Sequence, residues 1–82
     1  MADGDSAVYL RRRDGPRRMA RAYMMDVQRD LFGRWTLVRE WGRIGSPGRV
    51  RLDPHDDALN ARRAMLALLR QKQQRGYRPA GQ

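Results

Sequence analysis

Two tryptophans and two arginines recur at alternate positions in one short stretch of the chain, residues 35–43. Aromatic and branched residues open this stretch, and Gly33 and Gly45 lie on either side, so the pattern predicts a β-strand between two turns. Alternation along the strand gives one face the side chains of Trp35, Leu37, Arg39, Trp41 and Arg43. An indole offers a base or a sugar a flat apolar platform, and a guanidinium offers a phosphate two hydrogen-bond donors. This face therefore has the chemistry of a nucleic-acid contact.

Gly42 interrupts the strand pattern between Trp41 and Arg43. A glycine inside a strand marks a bulge or a position where another backbone or a ligand comes close. The tryptophans have a second interpretation, because tryptophan is highly buried on average. The sequence leaves Trp35 and Trp41 open between core packing and ligand contact.

The tripeptide Trp41-Gly42-Arg43 in this setting resembles the signature of the WGR domain. The similarity extends over most of the chain, from about Tyr9 to Tyr77. The other matching segments are Ala20-Arg21-Ala22-Tyr23, Asp30-Leu31-Phe32-Gly33, residues 48–54, Lys72 and Gly76-Tyr77. Poly(ADP-ribose) polymerases and DNA-repair proteins contain this domain. Bacteria also encode it as a small separate protein, which this chain resembles.

The resemblance implies a fold, a ligand and residue roles. The fold is a curved antiparallel sheet with one packed helix, and the ligand is DNA, often at strand breaks. By the family pattern, Trp41 stacks on the sugar of a terminal nucleotide and Arg43 contacts DNA or a neighbouring domain. The resemblance favours a place near the binding surface for Tyr77, which the sequence alone leaves open between core and contact. No polymerase or ADP-ribosyl transfer activity is implied, because the matching residues do not include the catalytic domain of those enzymes.

The composition favours a polyanionic partner. The formal net charge is +9 with a pI near 11.5, and arginine supplies almost all of the positive charge. A strongly basic domain is a normal electrostatic footprint of nucleic-acid binding. The chain has no cysteine and one histidine, His55, which excludes a disulfide and a cysteine-ligated zinc and disfavours a histidine metal site. We therefore expect no metal and no cofactor.

The length of 82 residues fits one domain with a small core. We expect residues 1–6 to be a disordered N-terminus, residues 7–78 to form the domain and residues 79–82 to be a flexible tail. No stretch approaches 18 consecutive apolar residues, and the acidic start is opposite in charge to a signal peptide. The expected location is cytoplasmic, in association with the nucleoid.

Four β-strands are predicted, over residues 7–13, 19–28, 35–44 and 49–52. The first two flank the turn Asp14-Gly15-Pro16, where five nearby arginines form either a phosphate-binding hairpin tip or a solvated loop.

In the fourth strand, alternation predicts that Val50 and Leu52 point into the core. Arg49 and Arg51 then point outward, close to Trp41.

The connection between the second and third strands contains Leu31 and Phe32, which are unusual residues for a turn. We expect both to fold back on the sheet edge as a lid over the core. The alternative is that an exposed Phe32 forms an interaction site.

A helix is predicted after the fourth strand, because Pro54 ends that strand and Asp56 or Asp57 can cap the first helical turn. At about 100° per residue, one apolar stripe contains Ala58, Ala61, Met65, Leu68 and Leu69. Gly76 suits the left-handed position that ends a helix. The sequence therefore predicts an α+β fold, in which an antiparallel sheet of about four to five strands packs against one C-terminal helix.

The predicted function is a non-catalytic DNA-binding module that recognises ends, nicks or other strand breaks with little sequence preference. The predicted nucleic-acid-binding residues are Trp41, Gly42, Arg43, Arg39, Arg49, Arg51, Lys72, Arg75 and Tyr77. RNA on the same surface is an open variant, and the alternative is a protein-interaction adaptor that docks on a DNA-repair enzyme.

An enzyme is disfavoured, because the aspartates are predicted in turns, caps and exposed strand positions. The single glutamate, Glu40, is expected to pair with arginines of its own strand. We expect no membrane contact and no small-molecule substrate.

Overall fold

A computed structural model describes residues 7–14 and 19–80. The elements are β1 (Val8–Asp14), β2 (Met19–Arg29), β3 (Trp35–Arg43), β4 (Arg49–His55), α1 (Ala58–Gln74) and β5 (Arg78–Pro79). The strands form one antiparallel sheet in the order β4-β3-β2-β1-β5. Short connections place β1 to β4 side by side, and α1 crosses one face of the sheet against β2, β3 and β4. The predicted α+β fold is confirmed.

The core lies between α1 and the central strands. Leu10, Met25 and Leu37 come from three neighbouring strands and are almost completely buried. The helix contributes Ala61 and Met65, which are the buried members of the predicted apolar stripe. The stripe therefore packs on the sheet, as the helical spacing predicts.

The predicted limits of α1 are also confirmed. Asp57 is the N-cap, and its Oδ1 accepts a hydrogen bond from the backbone N–H of Asn60 at 2.8 Å. Gly76 follows the helix with φ of 96°, a left-handed conformation that glycine adopts without steric cost.

The strand register assigns each side chain to one of two faces. The face that α1 covers, called here the helix face, contains the rows Leu10–Tyr23–Trp41–Arg49 and Val8–Met25–Arg39–Arg51. The other face, called here the open face, is not covered by α1, the helix of the described residues. The predicted alternation of β3 is confirmed, because both tryptophans lie on the helix face, where each is half-buried at the edge of the core.

The prediction that Val50 and Leu52 point into the core is wrong. They are 59% and 61% exposed and lie on the open face, opposite Glu40 and Val38 of β3. The alternation itself was correct, but α1 covers the face that holds the arginines of β4.

The prediction that Pro54 ends the fourth strand is also wrong, because β4 continues to His55. A strand at the sheet edge accommodates a proline, since only one of its sides forms ladder hydrogen bonds.

The predicted lid is wrong as well. Leu31 is 101% exposed and Phe32 is 84% exposed, so neither covers the core. Their turn is closed by its own hydrogen bonds and needs no apolar packing.

Near the C-terminus, β5 pairs with β1, and the Ala80 N–H donates to the Tyr9 carbonyl at 2.8 Å. Residues 79 and 80 of the predicted tail are therefore hydrogen-bonded to the sheet. The predictions for residues 1–6, for the arginines at 17 and 18 and for residues 81–82 lie outside the described residues.

Candidate nucleic-acid interface

Tyr23 lies at the centre of the surface around Trp41. The residue is 3% exposed, and its ring stacks on the indole of Trp41, with ring centroids 5.7 Å apart and an interplanar angle of 16°. The two residues are direct cross-strand partners on β2 and β3, which brings their side chains together. Tyr23 also meets the buried Tyr77 edge to face at 6.1 Å. The aromatic cluster supports Trp41 from one side, while part of the indole stays exposed.

Arg39 is held by this cluster. Its Nη1 donates to the Tyr23 hydroxyl at 3.3 Å, and its guanidinium carbon lies 5.8 Å from the centre of the Trp41 ring. Its Nε lies 3.0 Å from Asp53 Oδ2 at an angle unsuited to a hydrogen bond, so this contact is an ion pair. The Arg39 side chain is only 15% exposed. Arg39 therefore orients Trp41 and Tyr23, and its charge is largely used within the fold.

Arg51 shares the same carboxylate, since its Nε donates to Asp53 Oδ1 at 2.9 Å. One negative charge thus serves two guanidinium groups, and a positive charge remains on this part of β4.

Lys72 reaches the cluster from the last turn of α1. Its Nζ lies 4.4 Å from the ring centre of Tyr23 and 5.9 Å from that of Tyr77. Burial lowers the pKa of the Lys72 ammonium, and the positive charges of Arg75 and Arg39 lower it further. Lys72 forms no ion pair with a carboxylate of the described residues. A bound anion would compensate this charge.

Three arginines stand opposite one another across β1, β2 and β3: Arg12, Arg21 and Arg43. All three are exposed, and they form the helix-face row next to Tyr23 and Trp41. Like charges directly opposite one another destabilise a sheet. None of the three pairs with a carboxylate in the described part of the chain. A phosphate backbone lying across the row would relieve this repulsion.

Gly42 admits a neighbouring backbone. A Cβ added to Gly42 would come within 3.0 Å of the Gly48 Cα, and a Cβ added to Gly48 would approach the Trp41 carbonyl oxygen to 2.7 Å. The loop 45–48 can therefore lie directly against β3 only because both positions are glycine. The β2–β3 register continues through Gly42 without a bulge. The loop borders a depression of about 890 Å³ that it shares with β1, β2 and β3.

Comparison with known protein families establishes the family of this chain. The family model described as the WGR domain matches residues 6–82, nearly the whole chain. The chain belongs to the WGR domain family. These domains are generally nucleic-acid-binding modules in PARP-like proteins, and the domain is a binding module without catalytic activity.

A relative from Sinorhizobium fredii, the uncharacterized protein y4dW, is 46% identical over 72 residues. The aligned region covers 88% of this chain and 35% of that protein, so the chain spans about a third of the length of this curated relative. No solved structure matches the chain.

The predicted contact residues of this WGR domain fall into different environments. Trp41, Arg43, Arg49 and Arg51 lie together on the helix face, and Lys72 and Arg75 approach them from the end of α1. Arg39 and Tyr77 are held inside the cluster. Gly42 lies on the open face beneath Gly48.

Sequence reasoning missed Tyr23, Arg12 and Arg21 as members of this surface. The strand register is the signal that finds them. Once Trp41 pairs with Tyr23, Arg43 falls opposite Arg21, and Arg21 falls opposite Arg12.

Other kinds of site are not seen in the residues that the structure describes. No cluster of three or more histidine or acidic side chains there is placed to hold a metal ion. None of the described helices combines the length and the apolar character needed to cross a membrane. Glu40, predicted to pair with arginines, is exposed on the open face and forms no ion pair with another described residue, because the arginines of its strand lie on the helix face.

Proposed function

We propose that this WGR domain binds DNA through Trp41 and the surrounding arginines, and that it selects ends, nicks or other strand breaks. The observation that supports this is a half-buried indole beside a row of three exposed arginines, Arg12, Arg21 and Arg43, which have no acidic partner among the described residues. A sugar or base stacks on the indole while the guanidinium groups bind the adjacent phosphates. The domain would act in the cytoplasm, in association with the nucleoid.

The preference for breaks follows from what an indole can reach. In an intact duplex each base is paired and stacked between its neighbours, so no nucleotide face is free. A terminal or nicked nucleotide exposes such a face. Stacking and phosphate contacts carry little sequence information, so binding should depend on DNA structure more than on base sequence.

Two single-tryptophan variants test the location of the site. Trp35→Phe leaves Trp41 as the only tryptophan, and Trp41→Phe leaves Trp35, roughly 20 Å away along β3. Each is titrated with a 5′-phosphorylated blunt duplex, a nicked duplex and a closed circular DNA at two salt concentrations. We expect the fluorescence of Trp41 to be quenched by ends and nicks, less so at the higher salt concentration, and that of Trp35 to change little.

Trp41→Ala tests the energetic role of the indole. Because base stacking on an aromatic side chain contributes about 1–3 kcal/mol, we expect the affinity for nicked duplex to fall roughly 5- to 150-fold, measured by fluorescence anisotropy of the labelled DNA. Equal affinity for closed circular DNA, unchanged by the substitution, would reduce the interface to a generic basic surface. Selective binding of single-stranded RNA in place of DNA would reassign the ligand on the same surface.

A further inference from the structure

Apolar side chains share a second surface, on the open face between the β2–β3 turn and β4. We call it the apolar shelf; its residues are Leu31, Phe32, Val38, Leu52 and Pro54, and they border a groove of about 310 Å³. Leu31, Phe32 and Leu52 are mostly exposed, and Val50 continues the same face along β4. Single apolar residues on a surface are ordinary, but a group of them around one groove is typical of an interaction site.

The turn that presents Leu31 and Phe32 is held rigidly by Asp30. Oδ1 of Asp30 accepts hydrogen bonds from the backbone N–H groups of Phe32 at 2.8 Å and Arg34 at 2.9 Å, and Oδ2 pairs with Arg34 Nε at 2.8 Å. Burial acts to raise the pKa of the Asp30 carboxyl, but these hydrogen bonds and the Arg34 charge outweigh it and hold the pKa below its ordinary value. Gly33 completes the turn with φ of 80°. A side chain presented by a rigid turn loses little entropy on binding.

Among the described strands, β4 lies at one edge of the sheet and pairs with β3 alone. Backbone groups on its other side are therefore available to an added strand. Along β4, Val50 and Leu52 face the open side, while Arg49 and Arg51 face the helix side. A strand added here would place alternate side chains beside apolar and basic residues in turn.

The charges indicate the kind of partner. The chain carries a net charge of +9, and Arg49 and Arg51 alternate with Val50 and Leu52 along β4, so a second copy would bring like charges together. A nucleic acid would match these arginines but would leave the apolar shelf without a complementary surface. We propose that this surface docks an extended segment of a partner protein in which apolar and acidic residues alternate. The shelf lies on the open face and Trp41 lies on the helix face, so this partner and a nucleic acid would approach different faces of the sheet and compete only for Arg49 and Arg51 of β4.

The test is selection from a phage-displayed library of random 12-residue peptides against the full chain. Phage that also bind the double variant Leu31→Ser/Phe32→Ser are discarded in a counter-selection. The matched control is Leu59→Ser, which replaces a similarly exposed leucine on α1. We expect the selected peptides to alternate apolar residues with Asp or Glu. A synthetic peptide of the selected sequence should bind the double variant and Leu52→Thr at least tenfold more weakly, and bind Leu59→Ser and Trp41→Ala as it binds the wild type.

Circular dichroism establishes that each variant is folded, which is expected because the replaced side chains are exposed. Hydrogen exchange monitored by NMR should then show new protection of β4 amides when the peptide is added. The proposal is overturned if no peptide family is selected, or if selected peptides bind the double variant equally well. It is also overturned if the double substitution weakens DNA binding but leaves peptide binding unchanged. Phe32 would then act on DNA, as an apolar wedge inserted between base steps. Dimerisation of the wild type that the double substitution abolishes would identify a second copy as the occupant instead.

Discussion

The two ends of β3 contain the same kinds of side chain and use them differently. At the turn end, Arg29 covers the Trp35 ring at 5.1 Å and Arg34 pairs with Asp30 at 2.8 Å. At the other end, the three-arginine row beside Trp41 has no acidic partner among the described residues. A guanidinium whose charge is compensated within the fold stabilises local structure, whereas an uncompensated one is available to a ligand.

The aromatic residues show the reverse contrast. Tyr23 is buried beneath Trp41 and organises the charged surface, while Phe32 projects from a rigid turn without packing on the core. The end of the sheet beside Trp41 therefore has exposed positive charges without acidic partners among the described residues, and the turn end has exposed apolar side chains. These two surfaces favour different partners: the basic one a polyanion, and the apolar one a protein.

The largest expected effect of this contrast is on the free energy of unfolding. Tyr23→Ala should lower the free energy of unfolding by about 3–5 kcal/mol, because it removes a buried aromatic ring and leaves a cavity. Phe32→Ala removes a ring of similar size and should change it by no more than about 0.5 kcal/mol. Urea denaturation followed by circular dichroism measures both. Similar losses in the two variants would show that Phe32 packs on the core in solution.

A second, smaller effect concerns the arginines. Arg43→Gln should reduce the slope of log affinity for DNA against log salt by about 0.9, the value for one lost phosphate contact. Arg34→Gln, the matched removal of a compensated charge, should leave that slope unchanged. Affinity is measured at several salt concentrations by anisotropy. Equal effects of the two variants would mean that the domain binds DNA through its net charge alone.

The smallest expected effect is the pH dependence contributed by Lys72. The pKa of the Lys72 ammonium is lowered in the free protein, and a phosphate close to the ammonium would raise it again. DNA binding would therefore be accompanied by proton uptake at pH values near the lowered pKa. Affinity for nicked duplex should therefore decrease modestly in the wild type as the pH rises toward the ordinary lysine pKa of 10.5. Lys72→Met, which keeps most of the apolar stem, should bind more weakly at pH 7 and lose this dependence. An identical pH profile in both proteins would place Lys72 outside the interface.

Local pattern predicted much of the fold. Period-two alternation identified β1 to β4, and the 100° stripe from Ala58 to Leu69 identified the helix and its buried side. The errors at Val50, Leu52, Leu31 and Phe32 have one physical origin: an apolar residue was assumed to be covered. Whether a sheet face or a turn is covered depends on where distant elements pack, which local pattern does not encode.

The candidate site was predicted only in part, because local pattern does not encode contacts between strands. The placement of Trp41 and Arg43 on one face follows from the alternation of a single strand. The addition of Tyr23, Arg12 and Arg21 requires the register between strands, and the internal use of Arg39 requires the position of Asp53 on β4. For Gly42 the sequence left a bulge, a neighbouring backbone and a ligand open, and only the fold shows that the backbone of Gly48 approaches it without a bulge.

The sequence by itself determined the family, the strands β1 to β4, the helix, the positive charge and the pairing of indole with guanidinium on β3, because each depends on residue type or short-range spacing. The tertiary structure alone determined which sheet face α1 covers, which cations keep an acidic partner and which apolar residues remain exposed. These properties depend on contacts between residues far apart in the chain, and such contacts are set by strand register and by the packing of the helix.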